Sequence, residues 1–224
     1  VYGSNLQETD GGKLKAGAAT RVAEVTPVLW EMHITGKQAL GIIPIDERSM
    51  VKFAAIDVDT YPMDHVKLIE RIEAMNLPLV TCRTKSGGAH LYLLLTEFCD
   101  AAIIQKRMRE FASALALGNC EIFPKQSRII SARGDLGQWI NMPYFDARGT
   151  NDRHAFNHRG QKLEIQEFIE FASKRQLSEK ALAKIVVKTP EPLLGGPPCL
   201  QHLLSMGFPE GTRNNGLMNL GIYA

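Results

Sequence analysis

Apolar residues fall in two rhythms along the middle of this chain, short continuous runs and runs at helical spacing, and the two alternate. Val28 to His33 has weak helical character, and Gly36 breaks it before Leu40 to Ile45, which predicts a strand. The polar turn Asp46-Glu47-Arg48-Ser49 then leads into a second run, Lys52 to Asp59, so a hairpin is expected there. From Met63 to Met75, Val66, Ile69, Ile72 and Met75 recur at helical spacing and predict an amphipathic helix. Leu77 to Cys82 and Ala89 to Leu95 follow as two strands, joined by Arg83-Thr84-Lys85-Ser86-Gly87-Gly88. The second of them is apolar throughout, as expected of a central strand covered on both faces. Asp100 stands where an N-cap belongs for a helix from Ala101 to about Leu117, whose buried stripe is Ile104, Met108, Phe111 and Leu115.

Cys120 to Phe123 reads as a strand stopped by Pro124, and Trp139 to Phe145 as a short extended piece. A polar loop from Gly149 to Gly160 carries Arg153 and His154, and helical segments from Leu163 to Arg175 and from Leu177 to about Lys184 close the main body. At the start, Tyr2 to Thr20 is polar and glycine-containing and is expected to be a solvated arm. The pattern divides the chain into a principal domain over 1–184, a Pro- and Gly-rich linker over 185–198, and two helices of a small module over 199–224. The chain begins with Val and ends inside that second helix, the expectation for a fragment of a longer protein.

Composition narrows the class without naming a partner. With 45% hydrophobic and 22% charged residues, the 224-residue chain has the makeup of a globular protein, which excludes disorder and membrane spanning as organising principles. A net charge of +2 leaves nucleic acid open and makes the placement of basic residues decisive. Cys82, Cys99, Cys120 and Cys199 have no CxxC spacing, so neither a zinc ribbon nor a disulfide framework is expected, and a reducing cytoplasm is the simplest setting.

The chemistry concentrates between Val51 and Lys125. In a strand Asp57 and Asp59 project from the same side about 7 Å apart, a natural seat for a divalent cation. Surface turns also carry such pairs, but this one ends the apolar run FAAIDVD, where two like charges destabilise unless a cation or base compensates. Glu121 opens an apolar strand and is the candidate third carboxylate; the other reading is an exposed glutamate on an edge strand. The turn from Arg83 through Lys85, Ser86, Gly87 and Gly88 to His90 combines cations, a hydroxyl and glycines suited to a triphosphate tail, without Walker-loop spacing. Lys125 and Gln126 follow Glu121 closely enough to share its pocket, although a solvated lysine after a proline break accounts for Lys125 equally well.

In the order DVD, SGGAHLYL, EIFPKQ and WINMPYF, the chain resembles the archaeo-eukaryotic primase superfamily, and more narrowly the primase-polymerases of phages, plasmids and bacterial conflict systems. The resemblance covers about Leu40 to Phe168. It implies an α+β, two-lobed core with an RRM-like antiparallel sheet flanked by helices, followed by a small helical segment. It further implies that Asp57, Asp59 and Glu121 bind two Mg²⁺ or Mn²⁺ ions, that His90 meets the nucleotide's phosphates, and that Lys85, Ser86, Lys125, Gln126 and, more weakly, Asn141 line the nucleotide pocket. The tail resembles the helical region that follows such cores, with Arg213, Asn214 and Asn215 as expected contacts to template or initiating nucleotide. The implied activity is template-directed joining of NTPs or dNTPs on single-stranded DNA, with a helicase domain expected beyond the fragment. A metal-dependent nuclease and a catalytically inactive nucleic-acid-binding module remain the alternatives. Many relatives carry Asp where Glu121 stands, and the zinc-binding cysteines of some primases are missing here, so no zinc is expected.

Overall fold

A computed structural model describes residues 2–10 and 13–187 of the chain. Its elements, in order, are β1 (Tyr2–Asp10), β2 (Lys13–Arg21), α1 (Pro27–Ile34), β3 (Leu40–Ile42), β4 (Met50–Val58), α2 (His65–Ala74), β5 (Leu79–Arg83), β6 (Ala89–Asp100), α3 (Ala101–Ala114), β7 (Glu121–Phe123), β8 (Ile140–Asn141), α4 (Ile165–Lys174) and α5 (Glu179–Ala183). They build two four-stranded sheets, ordered β2-β1-β3-β8 and β5-β6-β4-β7.

The second sheet is the RRM-like one. The run β4-α2-β5-β6-α3-β7 is a split βαβ arrangement, and the pairings β4·β6, β4·β7 and β5·β6 are all antiparallel. Strands β4 and β6 are central and covered on both faces, which is why their sequences are continuously apolar. One face presents Ala54, Ile56, Val58, Leu91 and Leu93 to α2 and α3. The opposite face presents Ala55, Val80, Tyr92 and Phe123 to Ile140, Met142, Tyr144 and the partly buried Phe168. Helix α3 forms as its sequence indicates: Asp100 caps it by accepting from the Ala102 and Ile103 amides, and Ile104, Met108, Phe111 and the C-capping Leu115 are buried. Helix α2 is rotated from expectation. Leu68, Ile69 and Ile72 face the core while Val66 and Met75 face solvent, because the sheet needs a stripe that includes Leu68.

Two strand assignments are corrected. The expected hairpin between Leu40–Ile45 and Lys52–Asp59 reduces to the single bridge Ile45↔Val51, closed by the Asp46 amide donating to the Met50 carbonyl at 2.9 Å. Pro44 has no N–H to extend that ladder, so β3 leaves it and pairs instead with β1 and β8 in the first sheet. The expected solvated arm is a hairpin: β1 and β2 pair from Tyr2↔Arg21 to Asp10↔Lys13, with Gly11-Gly12 between them. The Asp-Gly-Gly-Lys sequence was the signal for this pairing. Of the extended piece over Trp139 to Phe145, only Ile140 and Asn141 join a sheet. The linker from residue 188 onward and the helical module with Arg213, Asn214 and Asn215 lie outside the described residues. Among the described residues, no helix is long and apolar enough to cross a membrane.

Candidate functional site

Strand register assembles the site. Asp57 of β4 stands opposite His90 of β6 on one side and opposite Glu121 of β7 on the other. Directly opposed residues of antiparallel strands project to the same face, so these three form a row across the sheet. The row lies on the face of Ala55, Tyr92 and Phe123, away from α2 and α3. Asp57 is the last position of β4 on that face before the strand ends at the buried Val58, and the exposed Asp59 follows immediately.

The row is unevenly satisfied. His90 Nε2 lies 3.3 Å from Asp57 Oδ1, yet that buried oxygen has no hydrogen-bond partner, so the contact is close without being aligned. A desolvated carboxylate oxygen with no donor is destabilising. On its other edge His90 Nδ1 is 3.2 Å from the Tyr92 hydroxyl, which donates to the Asn141 main-chain carbonyl at 2.7 Å. Asp59 is held from outside the sheet, with the Tyr61 hydroxyl 2.8 Å from Asp59 Oδ1 and 2.8 Å from Ser86 Oγ. The phenol donates to the carboxylate and can accept from the serine.

The β5–β6 connection lies against the end of β4. The Thr84 amide donates to the Gly88 carbonyl at 3.0 Å, the Gly87 amide to the Thr84 carbonyl at 3.1 Å, and Gly87 has φ +91°. A Cβ on Gly88 would stand 2.4 Å from the Val58 carbonyl oxygen, so only glycine permits this approach. Arg83 is anchored through its guanidinium to the Asp152 carbonyl at 2.9 Å and through its amide to the His154 carbonyl at 2.8 Å. A cavity of about 280 Å³ results, bordered by Asp57, Asp59 and His90 together with Arg83, Lys85 and Ser86, with Asn141 and Arg153 also on its border. Carboxylates and cationic side chains thus meet at one opening.

Other expected residues sit apart. Glu121 shares the row, but its side chain is 60% exposed and its carboxylate pairs with Lys125 Nζ at 2.7 Å. The two border a separate depression with Arg109 and Cys120, and among the described residues no three His, Cys, Asp or Glu side chains cluster as a metal centre. Lys125 and Gln126 do not border the main cavity. Gln105 of α3 donates to the Pro124 and Lys125 carbonyls at 3.0 and 2.9 Å and draws this segment toward the helix.

Three contributors escaped the sequence reading. Tyr61 follows Asp59 by two residues, and Tyr92 follows His90 by two on the same strand face; a polar aromatic at that spacing was the available signal. Arg153 reaches the cavity from the polar loop, its guanidinium 4.6 Å from the Phe145 ring centroid, and burial lowers its pKa. Nothing local in the sequence ties it to β4.

A family model described as the archaeo-eukaryotic primase domain of the TOTE conflict system matches residues 3–185. No curated protein matches the chain.

Proposed function

The chain belongs to the archaeo-eukaryotic primase domain family of TOTE conflict systems, a primase-like nucleotidyltransferase family, and from that premise we propose that it is a DNA primase-polymerase. It would extend primers on single-stranded DNA by template-directed transfer from nucleoside triphosphates. The observation that supports this reading is the register row Asp57–His90 beside the Arg83–Gly88 loop, with carboxylates, cationic side chains and a hydroxyl on one cavity.

In the reaction the primer's 3′-oxygen forms a bond to the α-phosphorus while the bond from that phosphorus to the bridging β-phosphate oxygen breaks. Pyrophosphate leaves, and the hydroxyl proton passes to water. Arg83, Lys85 and Arg153 neutralise the triphosphate and the Ser86 hydroxyl donates to one of its oxygens, while His90 Nε2 stands beside Asp57 at the same cavity. Asp57 and Asp59 would hold Mg²⁺ or Mn²⁺, a fit supported by the partnerless Oδ1 of Asp57, with Glu121 in register as a third ligand. When bound, such ions offset charge developing on the attacking and leaving oxygens.

Incubating the protein with primed single-stranded DNA, with and without triphosphates, tests the reading. Triphosphate-dependent lengthening is expected; shortening without triphosphates would mean a nuclease, and binding without turnover an inactive module. Glu121→Gln separates ligand from surface glutamate: Mn²⁺ affinity, read by electron paramagnetic resonance, is expected to fall about tenfold. An unchanged affinity would leave Glu121 as Lys125's partner alone. Tyr61→Phe removes the hydroxyl between Asp59 and Ser86 and is expected to weaken triphosphate binding about fivefold at unchanged thermal stability, measured by titration calorimetry.

A further inference from the structure

The ring of His90 is held from behind by a contact that reaches into the other sheet. Its Nδ1 lies 3.2 Å from the Tyr92 hydroxyl, and that hydroxyl lies 2.7 Å from the carbonyl oxygen of Asn141. Asn141 is on β8, paired with Gly41 of β3 in the first sheet, whereas His90 and Tyr92 are on β6 of the second.

A phenol has one proton to donate, and a carbonyl oxygen can only accept. The shorter contact, to Asn141, takes that proton. Giving it to Nδ1 instead would leave two oxygens 2.7 Å apart with no hydrogen between them, in a place where Tyr92 is 4% exposed. Burial also pushes the Tyr92 pKa well above its ordinary value, so the phenol keeps its proton. The hydroxyl oxygen therefore accepts, and the only donor His90 can offer it is Nδ1–H.

The consequence falls on the opposite nitrogen. With Nδ1 protonated and tied back, Nε2 is the atom that stands 3.3 Å from Asp57 and borders the cavity. Packing reinforces the orientation: the His90 and Tyr92 rings meet edge to face, 5.8 Å between centroids at 80°, and Tyr92 leans in turn on Phe53 at 6.2 Å.

We propose that Tyr92 is a positioning residue that fixes the tautomer and ring plane of His90, delivering Nε2 to the cavity, and that the first sheet takes part through the Asn141 carbonyl. What Nε2 meets there rests on the proposed function; the tautomer does not. The arrangement has the logic of supports behind metal-binding histidines, where the second ring nitrogen donates to a fixed acceptor and loss of that acceptor lowers affinity or activity about 10- to 100-fold.

Tyr92→Phe keeps the ring and removes only the hydroxyl. Long-range ¹H–¹⁵N spectra of ¹⁵N-histidine-labelled protein, with His90→Gln assigning one signal set among the six histidines, read the tautomer directly. The expected result is a protonated Nδ1 on His90 in the wild type, a bare Nδ1 in Tyr92→Phe, and extension slowed about 10- to 100-fold in the variant. A bare Nδ1 in the wild type overturns the proposal without any variant, and so does an unchanged tautomer in Tyr92→Phe. If the tautomer shifts as expected but the wild type extends no primer, the primase reading fails and the positioning role of Tyr92 stands.

Discussion

Asp57→Asn is expected to abolish primer extension while leaving the protein folded and no less stable than the wild type. Asparagine has the shape of aspartate, and Asp57 Oδ1 has no hydrogen bond to lose. Removing a desolvated negative charge also relieves a cost the fold now carries. Activity goes the other way. Without the carboxylate beside His90 the cation seat loses its central ligand, and a loss of at least about a thousandfold is expected, on the scale of deleting a group that stabilises transition-state charge. Asp59→Asn is expected to do the same from the exposed side of the seat, where the Tyr61 hydroxyl, itself in contact with Ser86, donates to that carboxylate. Gel-resolved extension read beside a calorimetric melt separates the two effects. A destabilised Asp57→Asn with normal activity would make the residue structural.

Gly88→Ala is the second large effect and acts through the backbone. The added methyl would lie 2.4 Å from the Val58 carbonyl oxygen, a main-chain atom of a central strand that no rotamer change can move. The loop must lift away, and Lys85 and Ser86 leave the neighbourhood of Asp59 with it. Overpacking of this kind costs about 1–3 kcal/mol in stability. Triphosphate binding is expected to fall further than stability does, because the cradle is displaced while Asp57 remains. Urea denaturation and nucleotide titration on the same variant test both parts. Wild-type values in both would show that the loop does not need its close approach to β4.

The parts of this account that were legible in the sequence are those set by local rules. A continuous apolar run marked β6 as a central strand, and the Asp100 cap and the Ile104–Phe111 stripe marked α3, because burial on two faces and helical periodicity each leave a direct imprint. Asp57 stood out because a charge at the end of an apolar strand conflicts with its surroundings, and His90 because it closes a basic, glycine-containing turn.

What was missed depended on the partner rather than the segment. β3 precedes a turn that reads as a hairpin, yet Pro44 diverts it to another sheet. Lys125 and Gln126 follow Glu121 in sequence, but Gln105, from a different element, decides where their backbone goes. Tyr92 acts through a carbonyl of Asn141, an atom that every residue possesses, so its spacing from His90 could place it on the same face without naming its partner. Asn141 was expected, through the resemblance, to line the nucleotide pocket, whereas the interaction that reaches His90 uses its main chain.

The central claim is that Asp57, Asp59, His90 and the Arg83–Gly88 loop form one site for a divalent cation and a nucleoside triphosphate. Titration calorimetry of a deoxynucleoside triphosphate into the protein, with and without Mn²⁺, tests it without requiring turnover. The account predicts saturable one-to-one binding that requires Mn²⁺ and disappears in Asp57→Asn; binding that is equally strong without Mn²⁺, or undiminished in Asp57→Asn, would contradict it.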